Sequence, residues 1–186
     1  MDYELLDRAL IFAARAHKGQ FRKGTDIPYL AHPVALALTL TELHCSDDVI
    51  AAALLHDVVE DTDVSLAEIE RAFGPAIAAI VAAVSEPDRD APWETRKQHT
   101  INKLRRAPLP VKLVACADKL HNIRAIARDH AALGDALWKR FGRGKQKQAW
   151  YYRGLAQSLP HGLQQPEKYP IFARFVQEVD NFFGPA

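Results

Sequence analysis

Cysteine is scarce in this chain, with only Cys45 and Cys116, far apart. That excludes a zinc ribbon or a disulfide framework and fits buried or incidental thiols of a reducing cytoplasm. Net charge is nearly absent too. With 24 Lys and Arg against 23 Asp and Glu, the formal charge is +1. No general field attracts nucleic acid or an anionic membrane, so neither is expected as a partner, and any phosphate must be recognised by a local cluster. Long hydrophobic runs are missing: those such as 76–84 are about half of the ~20 residues that span a bilayer. The opening MDYELLDRAL is acidic and helical, unlike the cationic start of a secretory signal, so the expected location is cytoplasmic. No alternating stretch is long enough for a sheet, and there is no internal repeat or low-complexity segment. What remains is ordinary in composition, 48% hydrophobic and 25% charged over 186 residues. It is expected to fold as one all-α domain, a multi-helix bundle over 1–186.

Leu5, Leu6, Ala9, Leu10, Phe12 and Ala13 recur at helical spacing, predicting an amphipathic helix over 3–17 that ends in the loop HKGQFRKGTD. Pro33 pre-sets a helix over 34–43 with His32 at its beginning. Ser65 and Glu68 form a capping box opening a short helix to Phe73, and Gly74-Pro75 separates it from a helix over 76–84. A charged turn over 86–92 precedes a polar helix over 93–106. A mostly buried helix follows over 111–127, carrying Asp118, His121 and Asn122 within its apolar set. The segment 128–147 reads as irregular and basic, with glycines limiting any helix to about 136–141. C-terminal helices are expected over 145–159 and 170–183.

The chain is organised around 49–62, VIAAALLHDVVEDT. Ser46 with Asp47 and Asp48 starts a helix whose residues 49–55 are unbroken in their apolar character, so it is buried on most of its circumference. That rod runs into His56 and Asp57. Burying an imidazole and a carboxylate there is costly unless both are compensated, and one shared metal ion compensates both. If the helix continues, His56 stacks over Glu60 and Asp57 over Asp61 at i,i+4. The plainer alternative is a helix end with solvated charge.

His32 before proline, His56-Asp57, and Asp118 form the ordered pattern H…HD…D, the signature of the HD phosphohydrolase superfamily. The segments AHKGQFRKG, IPYLAHP, AALLHDVVEDT, the following FG and ADKLHNIR resemble, in order and spacing, the hydrolase domain of the RelA/SpoT alarmone enzymes. The match runs over 9–124 and is closest in kind to their small hydrolase-only relatives, the MESH1 type. It implies that His32, His56, Asp57 and Asp118 hold one metal ion, usually manganese in this family; a nitrogen and oxygen ligand set without thiolate also suits Fe and admits Zn.

The resemblance further implies that Glu60 and Asp61 are the catalytic pair, orienting or deprotonating a water. Arg22 and Lys23 match the family's basic pair that meets nucleotide and phosphate. Asn122, one turn from Asp118, would donate to a sugar hydroxyl or phosphate, and Tyr151 would lie against sugar or base, with core packing as its alternative. His17 either organises its loop or contacts substrate. Arg96, Lys97 and Lys103 form a second basic source or a solvent face. The expected partner is a nucleotide, ppGpp or pppGpp, cleaved to pyrophosphate and GDP or GTP; a homo-oligomer is compatible with the sequence. RKGTDIPY and HNIRA depart from common family text, which leaves adenosine alarmones, the 2′-phosphate of NADPH, or a non-catalytic nucleotide sensor as alternatives. A cyclic-nucleotide phosphodiesterase lacks support from the RK loop and the EDT extension.

Overall fold

Helix α3 (Asp47–Leu55) is capped by extended Ser46 and carries Asp47 and Asp48 in its first turn, where acid opposes the positive end of the helix dipole. Every residue from Val49 to Leu55 is buried. The alanines at 51, 52 and 53 let neighbouring helices approach closely. Among the described residues it packs chiefly on α1 (Tyr3–Ala16), α2 (Ala31–Glu42) and α6 (Pro75–Val84). They bury Ala9 and Ala13, then Leu36, Ala37 and Leu40, then Ile77, Ala78, Ile80 and Val81. Helix α5 (Leu66–Phe73) packs on α6 and opens with the expected capping box, in which Ser65 and Glu68 satisfy each other's backbone N–H groups.

The computed structural model describes residues 1–86 and 90–185. They divide into two units, Met1–Pro87 with Pro108–Asp118, and Asp88–Ala107 with Lys119–Ala186. Part of the charged turn expected over 86–92 falls on 87–89, outside the described residues. To the first unit α8 (Leu109–Leu133) contributes the buried residues Val111, Leu113, Val114, Ala115, Cys116 and Ala117.

Two local expectations need correction. The helix of 49–62 is not continuous: it stops at Leu55, His56 and Asp57 form a turn with Asp57 at φ −96° and ψ −5°, and a separate four-residue helix α4 (Val58–Asp61) follows. Adjacent side chains on an unbroken helix diverge by about 100°. The turn instead lets His56 Nε2 and Asp57 Oδ2 come within 2.9 Å of each other. The segment 128–147 is also far from irregular. The run through Ala131, Ala132 and Leu133 extends α8, Gly134 at φ +56° ends it, and a 3₁₀ helix covers Gly134–Arg140.

In the second unit α9 (Lys145–Ser158) packs on α7 (Trp93–Arg106) and on α10 (Pro170–Phe183). Its buried Tyr151, Tyr152 and Leu155 share that unit's interior with Ile101, Leu104, Phe172, Phe175 and Val179. Gly154 permits close approach of α9 and α7, since a Cβ there would lie 2.5 Å from Ile101 Cδ1. Among the described residues there is no strand, only an isolated bridge between Phe21 and Pro28, so the class is all-α as expected. No helix among them is long and apolar enough to cross a membrane.

Candidate metal centre

The four expected ligands come from three places in the first unit: α2, the turn between α3 and α4, and α8. His32 sits in the first turn of α2, its N–H donating to the Tyr29 carbonyl at 2.9 Å, and its side chain is 1% exposed. His56 terminates α3. Its Nδ1 lies 2.9 Å from the Ala53 carbonyl, which can only accept, so Nδ1 carries the hydrogen and Nε2 is left with the lone pair of the neutral ring. Asp118, on α8, places Oδ1 3.2 Å from His32 Nε2, and Asp57 Oδ2 lies 3.7 Å from the same nitrogen. The ligating atoms of His32, His56 and Asp118 all lie within 4.8 Å of one another.

These residues fit a metal ion. Ligands held about 2.0–2.2 Å from a transition metal are separated by at most roughly 4.4 Å, so only a small closure is needed. The donor set is two imidazole nitrogens and carboxylate oxygens without sulfur, which suits hard to borderline divalent ions. His56 Nε2 supplies the strongest local sign: it is buried and, although close to Asp57, has no aligned hydrogen bond. A polar atom so placed is costly unless something else engages it.

The electrostatics separate the two imidazoles. At His32 burial dominates and lowers the pKa in spite of the hydrogen bond and charge of Asp118. Burial would also lower that of His56, but the adjacent Asp57 carboxylate, helped by Asp118, outweighs it and pushes the ring up to about 9. Reciprocally, burial opposes ionisation of Asp57 while the His56 charge favours it, and the carboxyl is held below its ordinary range. A divalent ion would take the place of any proton on His56 Nε2, so binding there would be favoured as pH rises.

The expected acid pair lies on α4. The Tyr29 hydroxyl approaches Asp57 Oδ2 at 2.5 Å and Asp61 Oδ2 at 3.2 Å, so Asp61 joins the ligand set through a shared phenol. Glu60 Oε2 accepts the Glu86 N–H at 3.2 Å. Sequence reading missed Tyr29. Its signal is the Tyr-x-x-His spacing at the mouth of α2, three residues ahead of a ligand. Burial first, then the charge of Asp57, raises the phenol far above its ordinary pKa, so it stays a donor.

The basic loop is built as a small hairpin. The Arg22 N–H donates to the Ile27 carbonyl at 2.8 Å, the Tyr29 N–H donates to the Gln20 carbonyl at 2.9 Å, and Gly24 at φ +76° makes the reversal. Arg22 places its guanidinium carbon 5.7 Å from the Tyr29 ring centroid, bringing it beside the site, whereas Lys23 is exposed on the loop. His17 is 3% exposed, bonds Gln20 Oε1 through Nδ1 at 2.8 Å and packs its ring 4.8 Å from that of Tyr29. Gln20 in turn donates to the Asp61 carbonyl at 2.8 Å. His17 thus holds the loop residue Gln20 and the Tyr29 ring, while its Nε2 is buried without a hydrogen bond.

Asn122 and Tyr151 belong to the second unit. Asn122 is half-buried on α8. Tyr151 is buried, its ring set against Trp93 and Tyr152, with the Lys97 ammonium 5.2 Å from its centroid. The Tyr151 ring thus packs within the second unit. Lys97 covers an aromatic face, and Lys103 has its pKa lowered by partial burial.

Comparison with known proteins returns the same chemistry. Human guanosine-3′,5′-bis(diphosphate) 3′-pyrophosphohydrolase MESH1 is 40% identical over 120 residues, which are 63% of this chain and 66% of that protein. A probable guanosine-3′,5′-bis(diphosphate) 3′-pyrophosphohydrolase of Synechocystis is 34% identical over 191 residues, 94% of this chain, but the match spans only 24% of its length. A solved structure described as a metazoan ortholog of SpoT that hydrolyses ppGpp is similar over 98% of this chain and 96% of its own, with 27% identity and a TM-score of 0.75. The HD domain model matches residues 9–143, a span that begins in α1 and takes in His32, His56, Asp57 and Asp118. By that match this chain is a member of the HD domain family.

Proposed function

We propose that this chain is a metal-dependent pyrophosphohydrolase acting on the 3′-diphosphate of ppGpp or pppGpp, with 1–186 working as one hydrolase domain. The observation that carries the reading is the grouping of His32, His56 and Asp118 within 4.8 Å of one another, with Asp57 Oδ2 2.9 Å and 3.7 Å from the two imidazoles and Asp61 reached through Tyr29. The activity of the relatives agrees with it.

In this reading the two imidazoles and two aspartates hold a divalent ion, Mn²⁺ by the family resemblance, with Fe or Zn admitted by the same ligands. When bound, that ion supplies Lewis-acid polarisation of the phosphoryl group and acidifies water. The Glu60–Asp61 pair orients the attacking water and takes its proton as the oxygen adds to phosphorus. The bond from phosphorus to the ribose 3′-oxygen breaks, and that oxygen is protonated as GDP or GTP leaves. Arg22 and Lys23 offset the charge of the diphosphate, which an acidic cage would otherwise repel. Separate contacts from Asn122 and Tyr151 to the nucleotide rest on the sequence resemblance, and a raised KM for Asn122→Ala or Tyr151→Phe supports them. A cytoplasmic location suits a nucleotide substrate, and a homo-oligomer is open to measurement by light scattering.

The test is substrate choice. Protein stripped of metal and reloaded with Mn²⁺ is offered ppGpp, its adenosine analogue and NADPH. Pyrophosphate released fastest from ppGpp supports the proposal. Orthophosphate from NADPH alone overturns it, and tight ppGpp binding without turnover makes the chain a sensor.

A further inference from the structure

We infer that Tyr29 is a positioning residue whose single hydroxyl ties the ligand Asp57 to the acid Asp61 and so sets the distance between ion and base. The inference rests on the proposed metal-dependent reading of this site.

Three features of Tyr29 support it. First, the phenol lies 2.5 Å from Asp57 Oδ2 and 3.2 Å from Asp61 Oδ2. The single hydroxyl hydrogen is shared between the two carboxylates as a three-centre bond, weighted towards the shorter contact with Asp57. A carboxylate that accepts such a bond is restrained in rotation, which is how outer partners hold ligands on a metal.

Second, the ring is clamped. His17 lies tilted against it with ring centroids 4.8 Å apart, His32 meets it in a T-shaped arrangement with centroids 6.0 Å apart, and the Arg22 guanidinium stands 5.7 Å from its centroid. Third, its backbone is shared with the site: the Tyr29 N–H is held by Gln20, and its carbonyl receives the His32 N–H. A residue that touches two ligands, the acid and the basic loop at once can transmit position among them, and a phenylalanine there would keep every ring contact while losing only the hydroxyl.

The experiment compares full-length wild type with Tyr29→Phe. Mn²⁺ affinity is measured by calorimetry on the metal-free protein, the melting temperature is recorded without metal, and kcat and KM for ppGpp are taken at saturating Mn²⁺. Loss of the bond to Asp57 is expected to weaken Mn²⁺ binding about 10–100-fold. Loss of the contact to Asp61 is expected to lower kcat by about tenfold or more even when Mn²⁺ saturates, with KM little changed. The metal-free melting temperature should move by only a few degrees.

Equal affinity and equal kcat in a wild type that binds Mn²⁺ overturn the role of Tyr29 while leaving the metal reading intact. Full kcat at saturation with weakened affinity overturns the link to Asp61. A wild type that binds no Mn²⁺ overturns both readings. If Tyr29→Phe does not fold, 3-fluorotyrosine at position 29 decides: it keeps the shape and alters the hydroxyl's donor strength, so an unchanged Mn²⁺ affinity overturns the inference and a changed one supports it.

Discussion

His32 Nε2 stands 3.2 Å from Asp118 Oδ1, joining the first turn of α2 to α8. The contact links parts of the first unit that are remote in sequence, and each partner sits on a helix that buries an apolar face, Leu36 and Leu40 on α2 and Val114 and Ala117 on α8. The position of the pair is therefore set by core packing. Such a site tolerates loss of a ligand in folding far better than in function.

Asp118→Ala removes one of the proposed ligands. Mn²⁺ affinity is expected to fall by roughly 100-fold or more, at least the scale seen when outer partners are lost. Activity should fall with it, while near-ultraviolet circular dichroism of the metal-free protein stays that of the wild type. Retained affinity in this variant would remove Asp118 from the set.

Chelation should abolish turnover reversibly. An ion that binds only the folded chain adds about 2.7 kcal/mol of stability when present at 100 times its dissociation constant. Differential scanning calorimetry with and without Mn²⁺ should show the melting temperature rising with ion concentration. No rise would mean the cluster does not hold Mn²⁺.

Asp61→Asn and Glu60→Gln separate the two acids. Removing the group that takes the proton is expected to cost about 10²–10⁴-fold in kcat with Mn²⁺ affinity retained. Because Asp61 shares the Tyr29 hydroxyl with Asp57, the larger effect is expected at Asp61. Full turnover by the double variant Glu60→Gln/Asp61→Asn would refute both assignments.

Gly154→Ala tests the second unit. Alanine gains about 1 kcal/mol over glycine in a helix, but its Cβ would lie 2.5 Å from Ile101 Cδ1 and 3.2 Å from Cγ1. Overpacking costs roughly 1–3 kcal/mol, so destabilisation should win in urea unfolding. In an Ile101→Val background, which lacks the Cδ1 methyl, the penalty should shrink.

The capping box gives a pH test. The Ser65 backbone N–H, then its hydroxyl, lower the pKa of Glu68 below its ordinary value of 4.5. A carboxyl depressed in the folded state stabilises above its unfolded pKa, and that contribution disappears as pH falls through the folded value. Ser65→Ala should therefore lower the melting temperature at neutral pH, with the gap to wild type narrowing in acid. A gap independent of pH would mean that the Ser65 hydroxyl adds nothing to the Glu68 shift, leaving it to the backbone N–H that alanine retains.

Much of the architecture was legible because it is written in local periodicity. The apolar spacing of α1, the unbroken 49–55 run, the Ser65 box and the Gly74-Pro75 break all appear as read, since each is decided by neighbours within a turn or two. The turn at His56-Asp57 was not legible. Those residues are compatible with helix, and their turn sets Asp57 beside His32, a relation that no local window contains. Nor was the extension of α8 to Leu133, where helix formers carried the chain through a stretch that its glycines and basic residues made look irregular.

The sequence by itself determined that this is an all-α chain, and its motifs singled out His32, His56, Asp57 and Asp118, because helix burial and residue chemistry are local properties of the text. Three-dimensional packing alone reveals that Tyr29 bridges Asp57 and Asp61, that His17 lies against Tyr29, and that Tyr151 packs against Trp93. Those relationships depend on directions in space, and a side chain's direction is set by the helices packed around it, which the order of residues does not state.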